Sequence, residues 1–429
     1  MNRSLLIVLS ILTVVLSTNS SSAERPPNIL FILADDVGRE VLGCYGGESY
    51  RTPHLDGLAR SGLTFQHCYS MPVCHPTRVC LLTGLYPFQL NNPKWGSFPA
   101  EYEKQTVAQL LKSSGYETAI SGKWQLTLLG KDRSHPQRLG FNESCLFGWH
   151  EGPRYFDPLI WQNGEQRADT DGAYGPDIYV EFLLDFMARN KDKPFFAFYS
   201  MALCHDVTDD LDDPVPLGPK GRYENYLEMA ESMDRQIGKL VAGLDQLGLR
   251  ENTLIFFTAD NGTPKTFIAT AEGSKLVRKP VVSQQAGRSV PGGKGELTDL
   301  GTRVPTIASW PGVVPADSET DALVDFIDIL PTFVRLAGSK QPAGQVHSRS
   351  FDDVLRQPER SSRPWVFCER GKRYWVRTAE WKLYSDGSYF RMSSDPLENS
   401  PLDTTALRGA GLKAHRLLQA ATKELIRDQ

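Results

Sequence analysis

Two apolar runs in this 429-residue chain end in acidic residues. The run Asn28 to Ala34 (NILFILA) is followed by Asp35 and Asp36, and the run Thr253 to Ala259 (TLIFFTA) by Asp260, Asn261 and Gly262. Taken alone, Asp at a strand end makes a turn and Asn-Gly makes a hairpin, yet no matching return strand follows Gly262 promptly. If both runs are buried strands, their ends bring several oxygen donors together, which is costly unless a cation neutralises them. Oxygen donors alone select calcium or magnesium over zinc.

A second cluster is Cys74-His75-Pro76-Thr77-Arg78, running through Cys80 into Thr83-Gly84. Pro76 suits the first turn of a helix, so Cys74 is predicted at a helix N-terminus, where free amides and the helix dipole favour an anion. A plain buried thiol is the alternative. Three cations complete the set: Arg78, Lys123 in Ser-Gly-Lys-Trp, and Lys294 in Pro-Gly-Gly-Lys-Gly. A single lysine is usually a solvated surface group, but charge arithmetic gives these a purpose. Three Asp side chains with one divalent cation leave a net negative charge that repels an anionic substrate, and the three cations reverse it. Each is worth about 4 kcal/mol at ~4 Å and an effective dielectric of about 20. His205, just after the run PFFAFYS, is the remaining titratable candidate.

The elements that must position these residues are legible as short apolar runs alternating with helical patterns. Strands are expected at 28–34, at LTFQHC, at YETAIS, at 194–200, at 253–259 and at VPTIASW (304–310). Helices are expected near 54–61, after Pro76, near 106–113, 177–189 and 223–247, and in a segment ending near Gly338. Continuous apolar strands separated by helices indicate a parallel sheet covered on both faces, with ligands beyond the strands' carboxyl ends. A polar stretch from Ser339 to Arg349 is the expected boundary. After it, PWVFCER, RYWVRT and EWKLYS read as antiparallel strands before a terminal helix from about Thr405 to Arg427. The expected fold is therefore α/β: a large mixed, mostly parallel sheet sandwiched by helices, with a smaller C-terminal antiparallel sheet plus helix subdomain. The expected division is 1–23, 24–345 and 346–429. Two long stretches, 125–175 and 262–303, read as irregular.

Composition narrows the function classes. With 40% hydrophobic and 10% aromatic residues, the chain is neither disordered, collagen-like nor a small disulfide module. Lys+Arg 47 against Asp+Glu 51 gives a net charge of −4, without the basic excess of a nucleic-acid binder. Arg3, the apolar run Leu5 to Leu16 and Ser21-Ser22-Ala23 read as a signal peptide cleaved after Ala23. That run is shorter than the roughly 20 residues that span a bilayer, and no later stretch is long and apolar enough. Seven cysteines (44, 68, 74, 80, 145, 204 and 368) leave at least one unpaired. The spacing of Cys68, Cys74 and Cys80 does not suit zinc.

Taken together, these motifs resemble the type I sulfatases of the alkaline phosphatase superfamily. The resemblance runs from NILFILADD to the C-terminal MSSDPLENSP. It rests on Cys-x-Pro-x-Arg with Leu-Thr-Gly at Cys74 to Gly84, and on Gly-Tyr-x-Thr leading into Gly-Lys-Trp at Gly115 to Trp124. Asp35-Asp36, Asp260-Asn261 and Gly-Gly-Lys-Gly at 292–295 before Thr302-Arg303-Val304-Pro305 also match. The resemblance implies that a formylglycine-generating enzyme oxidises Cys74 to formylglycine (3-oxoalanine), which accounts for the odd cysteine. It implies that Asp35, Asp36, Asp260 and Asn261 hold calcium, or magnesium, with an oxygen of residue 74. Arg78 would steady the formylglycine, and Lys123, Lys294, Gln125 and His205 would meet the substrate. One hydroxyl of the hydrated aldehyde would attack sulfur, and the second would lose its proton to Asp260 and expel sulfate.

Three residues depart from the family pattern. Gln125 stands where the family has His and cannot act as a general acid, which moves leaving-group protonation to His205 or Lys294. His205 lies in Leu-Cys-His-Asp, where relatives carry Pro-His-x-Pro, and His75 occupies a position usually held by a small residue. Two other readings stay open: a phosphodiester or phosphonate monoester hydrolase of the same superfamily, and a catalytically silent binding protein with Cys74 unmodified. The implied substrate is a sulfated small molecule or polysaccharide, met in a periplasmic, extracellular or lysosomal-type compartment. Trp149, His150, Arg154, Tyr155 and Trp161, in the first long stretch, are candidates for stacking on sugar rings or for core packing.

Overall fold

The computed structural model describes residues 25–206, 223, 225–272, 275–340, 342 and 344–427. The signal peptide expected over residues 1–23 lies outside them.

Ten strands form one sheet in the order Ser318–Asp325, Leu63–Tyr69, Thr306–Ser309, Thr253–Ala259, Asn28–Ala34, Phe195–Ser200, Glu117–Trp124, Glu143–Gly148, Trp161–Gln162 and Glu165–Gln166. At its centre Asn28–Ala34 runs parallel to both neighbours, pairing Ile29 with Phe196 on one side and Leu254 on the other. All seven of its residues are buried, which is why the run is apolar throughout instead of alternating. Helices cover the sheet. Pro53–Arg60 and Gly175–Arg189 both pack on Tyr226–Gln246, while Val107–Ser113 and Cys74–Thr83 pack on Ile329–Leu336. Phe333 of the last helix meets Phe31, Phe196 and Phe256 at centroid distances of 5.5, 6.0 and 5.8 Å. The long helix starts where the Asn225 side chain accepts a hydrogen bond from the Glu228 amide. It buries Met229, Met233, Ile237, Leu240 and Leu244, spaced three or four apart.

The sheet is mixed in ways the apolar runs do not encode. Thr306–Ser309 runs antiparallel to both Leu63–Tyr69 and Thr253–Ala259. The edge strand Ser318–Asp325 escapes sequence reading because its first half alternates between exposed and buried positions. The 125–175 stretch carries the parallel strand Glu143–Gly148 and a short hairpin, and 262–303 carries two hairpins, 266–272 with 275–280 and 282–285 with 288–291. Neither stretch is irregular throughout.

Four antiparallel strands (Val366–Arg370, Arg373–Arg377, Trp381–Tyr384 and Tyr389–Arg391) and the helix Gly409–Arg427 make the C-terminal unit. It grips the segment following Lys294. Arg370 donates to the Gly295 carbonyl, the Lys382 ammonium to the Leu297 carbonyl at 2.9 Å, and Arg377 to the Asp299 carboxylate at 2.5 Å. All seven cysteines are free thiols. Among the described residues, no helix is long and apolar enough to cross a membrane.

Candidate active site

The register of the central strands sets the first part of the site. Ala34 pairs with Ala259, so Asp35 and Asp260 leave the sheet side by side. Successive side chains of a strand point to opposite faces, and two adjacent carboxylates can face one site only if the chain stops being extended. Asp36 does this with a φ of +62°, a left-handed conformation that Asp tolerates. Its amide then donates to Asp260 Oδ1 at 3.2 Å.

Cys74 opens the helix Cys74–Thr83, whose N-cap, Val73, offers no side-chain cap. The first amides of the helix are therefore left without a side-chain acceptor. Cys74 and Arg78 share a helix face at i and i+4. The helix is tied to the strand ends by Thr77 Oγ1 donating to the Asp260 carbonyl at 2.8 Å and by Arg78 Nη2 on Asp260 Oδ2 at 2.6 Å. The reactive motif is thus fastened to the end of the Asp260 strand.

The two lysines come from opposite directions. Lys123 lies in the strand Glu117–Trp124 and pairs with Asp35. Beside it, Gly122 has a φ of +98°, and a Cβ there would lie 2.1 Å from the Ser200 carbonyl oxygen. Ser200 Oγ accepts from Arg78 and donates to the Lys123 carbonyl at 2.7 Å. Ser200 was not singled out from the sequence, and its place at the end of PFFAFYS was the available signal. Gly122→Ala is expected to cost at least about 2 kcal/mol, from strain plus collision with backbone. Scanning calorimetry checks this as a lowered Tm. Lys294 is presented by its loop: its amide donates to the Thr263 carbonyl at 2.9 Å, the Gly295 amide to the Pro72 carbonyl at 2.8 Å, and its ammonium to Asp36 Oδ2 at 2.7 Å.

Burial sets the electrostatics. It raises Asp260 to about 7, with Asp35 adding to the effect against Arg78, and raises Asp36 despite Lys294. Burial would raise Asp35 too, but Lys123, His205, Arg78 and Lys294 outweigh it and hold that carboxyl well below its usual range. Burial also raises the Cys74 thiol, against Lys123 and Lys294. His205 is driven well below its ordinary value by burial and then by Lys294, with Asp35 opposing. The imidazole is therefore neutral at pH 7.

The donor set fits a hard cation. Ligand atoms of Asp35, Cys74 and Asp260 lie within 4.8 Å of one another. Among the described residues, Asp35 Oδ1 and Asn261 Oδ1 are buried with no hydrogen-bond partner, an arrangement that costs free energy unless something else binds them. Asp36 is adjacent but turned aside, its carboxylate accepting from Lys294 and, at 2.7 Å, from Asn261 Nδ2.

The other sequence candidates divide. Gln125 Nε2 reaches Cys74 Sγ at 3.5 Å, and Gln125 Oε1 is buried with no hydrogen-bond partner among the described residues. His205 Nε2 lies 3.8 Å from Asp36 Oδ2, facing the same carboxylate as Lys294. His75 points away, with its Nε2 on the Ser97 carbonyl at 2.8 Å. Trp149 lies at the site, its ring centre 4.4 Å from the Lys123 ammonium and 4.6 Å from the Arg154 guanidinium. His150 is beside it, with ring centroids 5.9 Å apart. Tyr155 is a buried support whose hydroxyl donates to the carbonyls of Ala202 and His205, and Trp161 lies under Arg133.

The sequence profile of the family described as "Sulfatase" matches residues 27–339. The chain is 30% identical to human N-acetylgalactosamine-6-sulfatase over 86% of its own length and 76% of that protein. It is also 30% identical to human arylsulfatase A, over 90% of this chain and 80% of that one. A solved structure described as in complex with its substrate D-glucosamine-2-N,6-O-disulfate superposes with a TM-score of 0.71 at 20% identity, covering 94% of this chain and 98% of that one. At that identity the likeness is one of fold.

Proposed function

The chain belongs to the sulfatase family, and from that premise we propose that it is exported and hydrolyses a sulfate ester of a carbohydrate, with residue 74 as nucleophile beside a calcium ion. The convergence of Asp35, Cys74 and Asp260 ligand atoms within 4.8 Å, ringed by Arg78, Lys123 and Lys294, carries this reading. Formylglycine formed from Cys74, together with calcium, supplies a hydrated aldehyde as an oxygen nucleophile at neutral pH.

The chain's own residues account for the rest. Asp35, Asp260 and Asn261 would hold the cation, with Asp36 next to them. Lys123 and Lys294, which pair with Asp35 and Asp36 in the free protein, would receive the sulfate oxygens. Arg78, fixed by Asp260 and Ser200, keeps residue 74 in line. Gln125 donates to residue 74 from its amide and is neutral at every working pH. His205 and Lys294 face the same side of the pocket through Asp36, and there the departing alcohol oxygen takes its proton. Burial and then Lys294 keep His205 neutral in the free enzyme. Cys74 is 6% exposed, so the formylglycine-generating enzyme must act before the chain closes around it.

A sulfated carbohydrate as substrate is supported by the amino-sugar sulfates named for the human relative and for the superposed structure. The test is mass analysis of the residue-74 peptide from the native source, with turnover of aryl sulfate, aryl phosphate and phosphonate esters. Formylglycine with sulfate turnover at least about 100-fold above the other esters is expected, a discrimination of at least about 2.7 kcal/mol. A retained thiol would reject the covalent mechanism, and dominant phosphonate or phosphodiester turnover would reassign the substrate.

A further inference from the structure

An aromatic surface leads out of the pocket and ends in a residue that the site has not used. Trp149 meets His205 at a centroid distance of 4.7 Å and lies beneath the Lys123 ammonium. Trp95 meets Trp149 edge-on at 5.2 Å and His150 at 4.8 Å. Trp149 is 8% exposed, whereas Trp95 is 44% exposed. One apolar surface therefore continues from Lys123 and His205 to solvent.

The loop that carries Trp95 is fastened close to the nucleophile. His75, the residue next to Cys74, has its Nε2 on the carbonyl of Ser97, and Phe98 packs against His135 at 6.0 Å. Ser97 Oγ donates back to the Lys94 carbonyl at 2.5 Å, closing the turn around Trp95. An exposed indole held this firmly keeps a large flat apolar area ready at little further cost in side-chain entropy.

Resting on the sulfate-ester reading above, we propose that Trp95 is a specificity-determining residue whose indole receives the sugar ring on the leaving side of the scissile bond. The C–H face of a pyranose packs on the indole while Lys123 and Lys294 hold the sulfate, so the ring selects saccharide esters over small alkyl ones. His75 is the positioning residue for this loop.

The test compares wild type, Trp95→Ala and Trp95→Phe on a panel of sulfated amino-sugar saccharides and on 4-nitrophenyl sulfate. Saccharide binding to each in a Cys74→Ala background is measured by calorimetry. For the best saccharide, Trp95→Ala is expected to raise KM and Kd about tenfold, the scale of one aromatic contact. kcat should stay within about twofold and Tm should be unchanged, with Trp95→Phe recovering most of the loss. An active wild type whose saccharide KM and Kd are untouched by Trp95→Ala, or which turns over only the aryl ester, overturns the role of Trp95 alone. A wild type inactive on every sulfate ester overturns the hydrolase reading and this proposal with it.

Discussion

Cys74→Ala is expected to lower sulfate ester turnover by about four orders of magnitude or more, since the residue that forms the covalent bond is gone and only the binding pocket is left. The same substitution should barely disturb the fold. The Cys74 sulfur accepts a hydrogen bond from Gln125, while the helix is held by Thr77 and Arg78. Steady-state rates on an aryl sulfate, with Tm as control, check both halves. A matching collapse of Tm would mean that lost structure, not lost chemistry, explains the rate. Cys74→Ser sharpens the result: a serine ester needs a separate water attack to release sulfate, whereas a diol can eliminate it, so a single slow turnover followed by arrest is expected.

Removal of calcium is expected to have the second largest effect. Asp35, Asp36 and Asp260 are all buried within one pocket, and their crowding is visible in Asp260, raised to about 7 by burial and by Asp35. Without the cation, Lys123 and Lys294 stay engaged by Asp35 and Asp36 and are not released toward a substrate anion. Treatment with a calcium-selective chelator should lower turnover at least about 100-fold through both effects. It should also lower Tm by several degrees, since a ligand held at 1,000 times its Kd contributes about 4 kcal/mol. Adding calcium back should restore both. Full activity in the chelated, metal-free protein would remove the cation from the mechanism.

Much of the site was legible in the sequence because its residues sit where chain geometry changes abruptly. Asp35 and Asp260 follow apolar runs long enough to read as buried strands, and those strands pair in register. Cys74 precedes a proline that marks a helix start. Gly122 and Gly293 flag close backbone approaches beside the two lysines. Strand direction was not legible, since the run at Thr306–Ser309 is equally apolar whether parallel or antiparallel. Trp95 was not legible either, because nothing local distinguishes a loop tryptophan that meets Trp149 from one that meets solvent. Tyr155 and Trp161 show the converse: a sequence position near the site did not place their rings in it.

The grip of the C-terminal sheet on the segment after Lys294 bears on when the protein becomes competent. Arg370, Arg377 and Lys382 hold Gly295, Leu297 and Asp299, and Glu398 joins them by accepting from Lys382 and from the Asp299 amide. The segment that follows one of the two lysines is thus braced by side chains 75 to 99 positions further along the chain. A chain clipped before these strands is expected to lose that brace, and with it sulfate ester turnover.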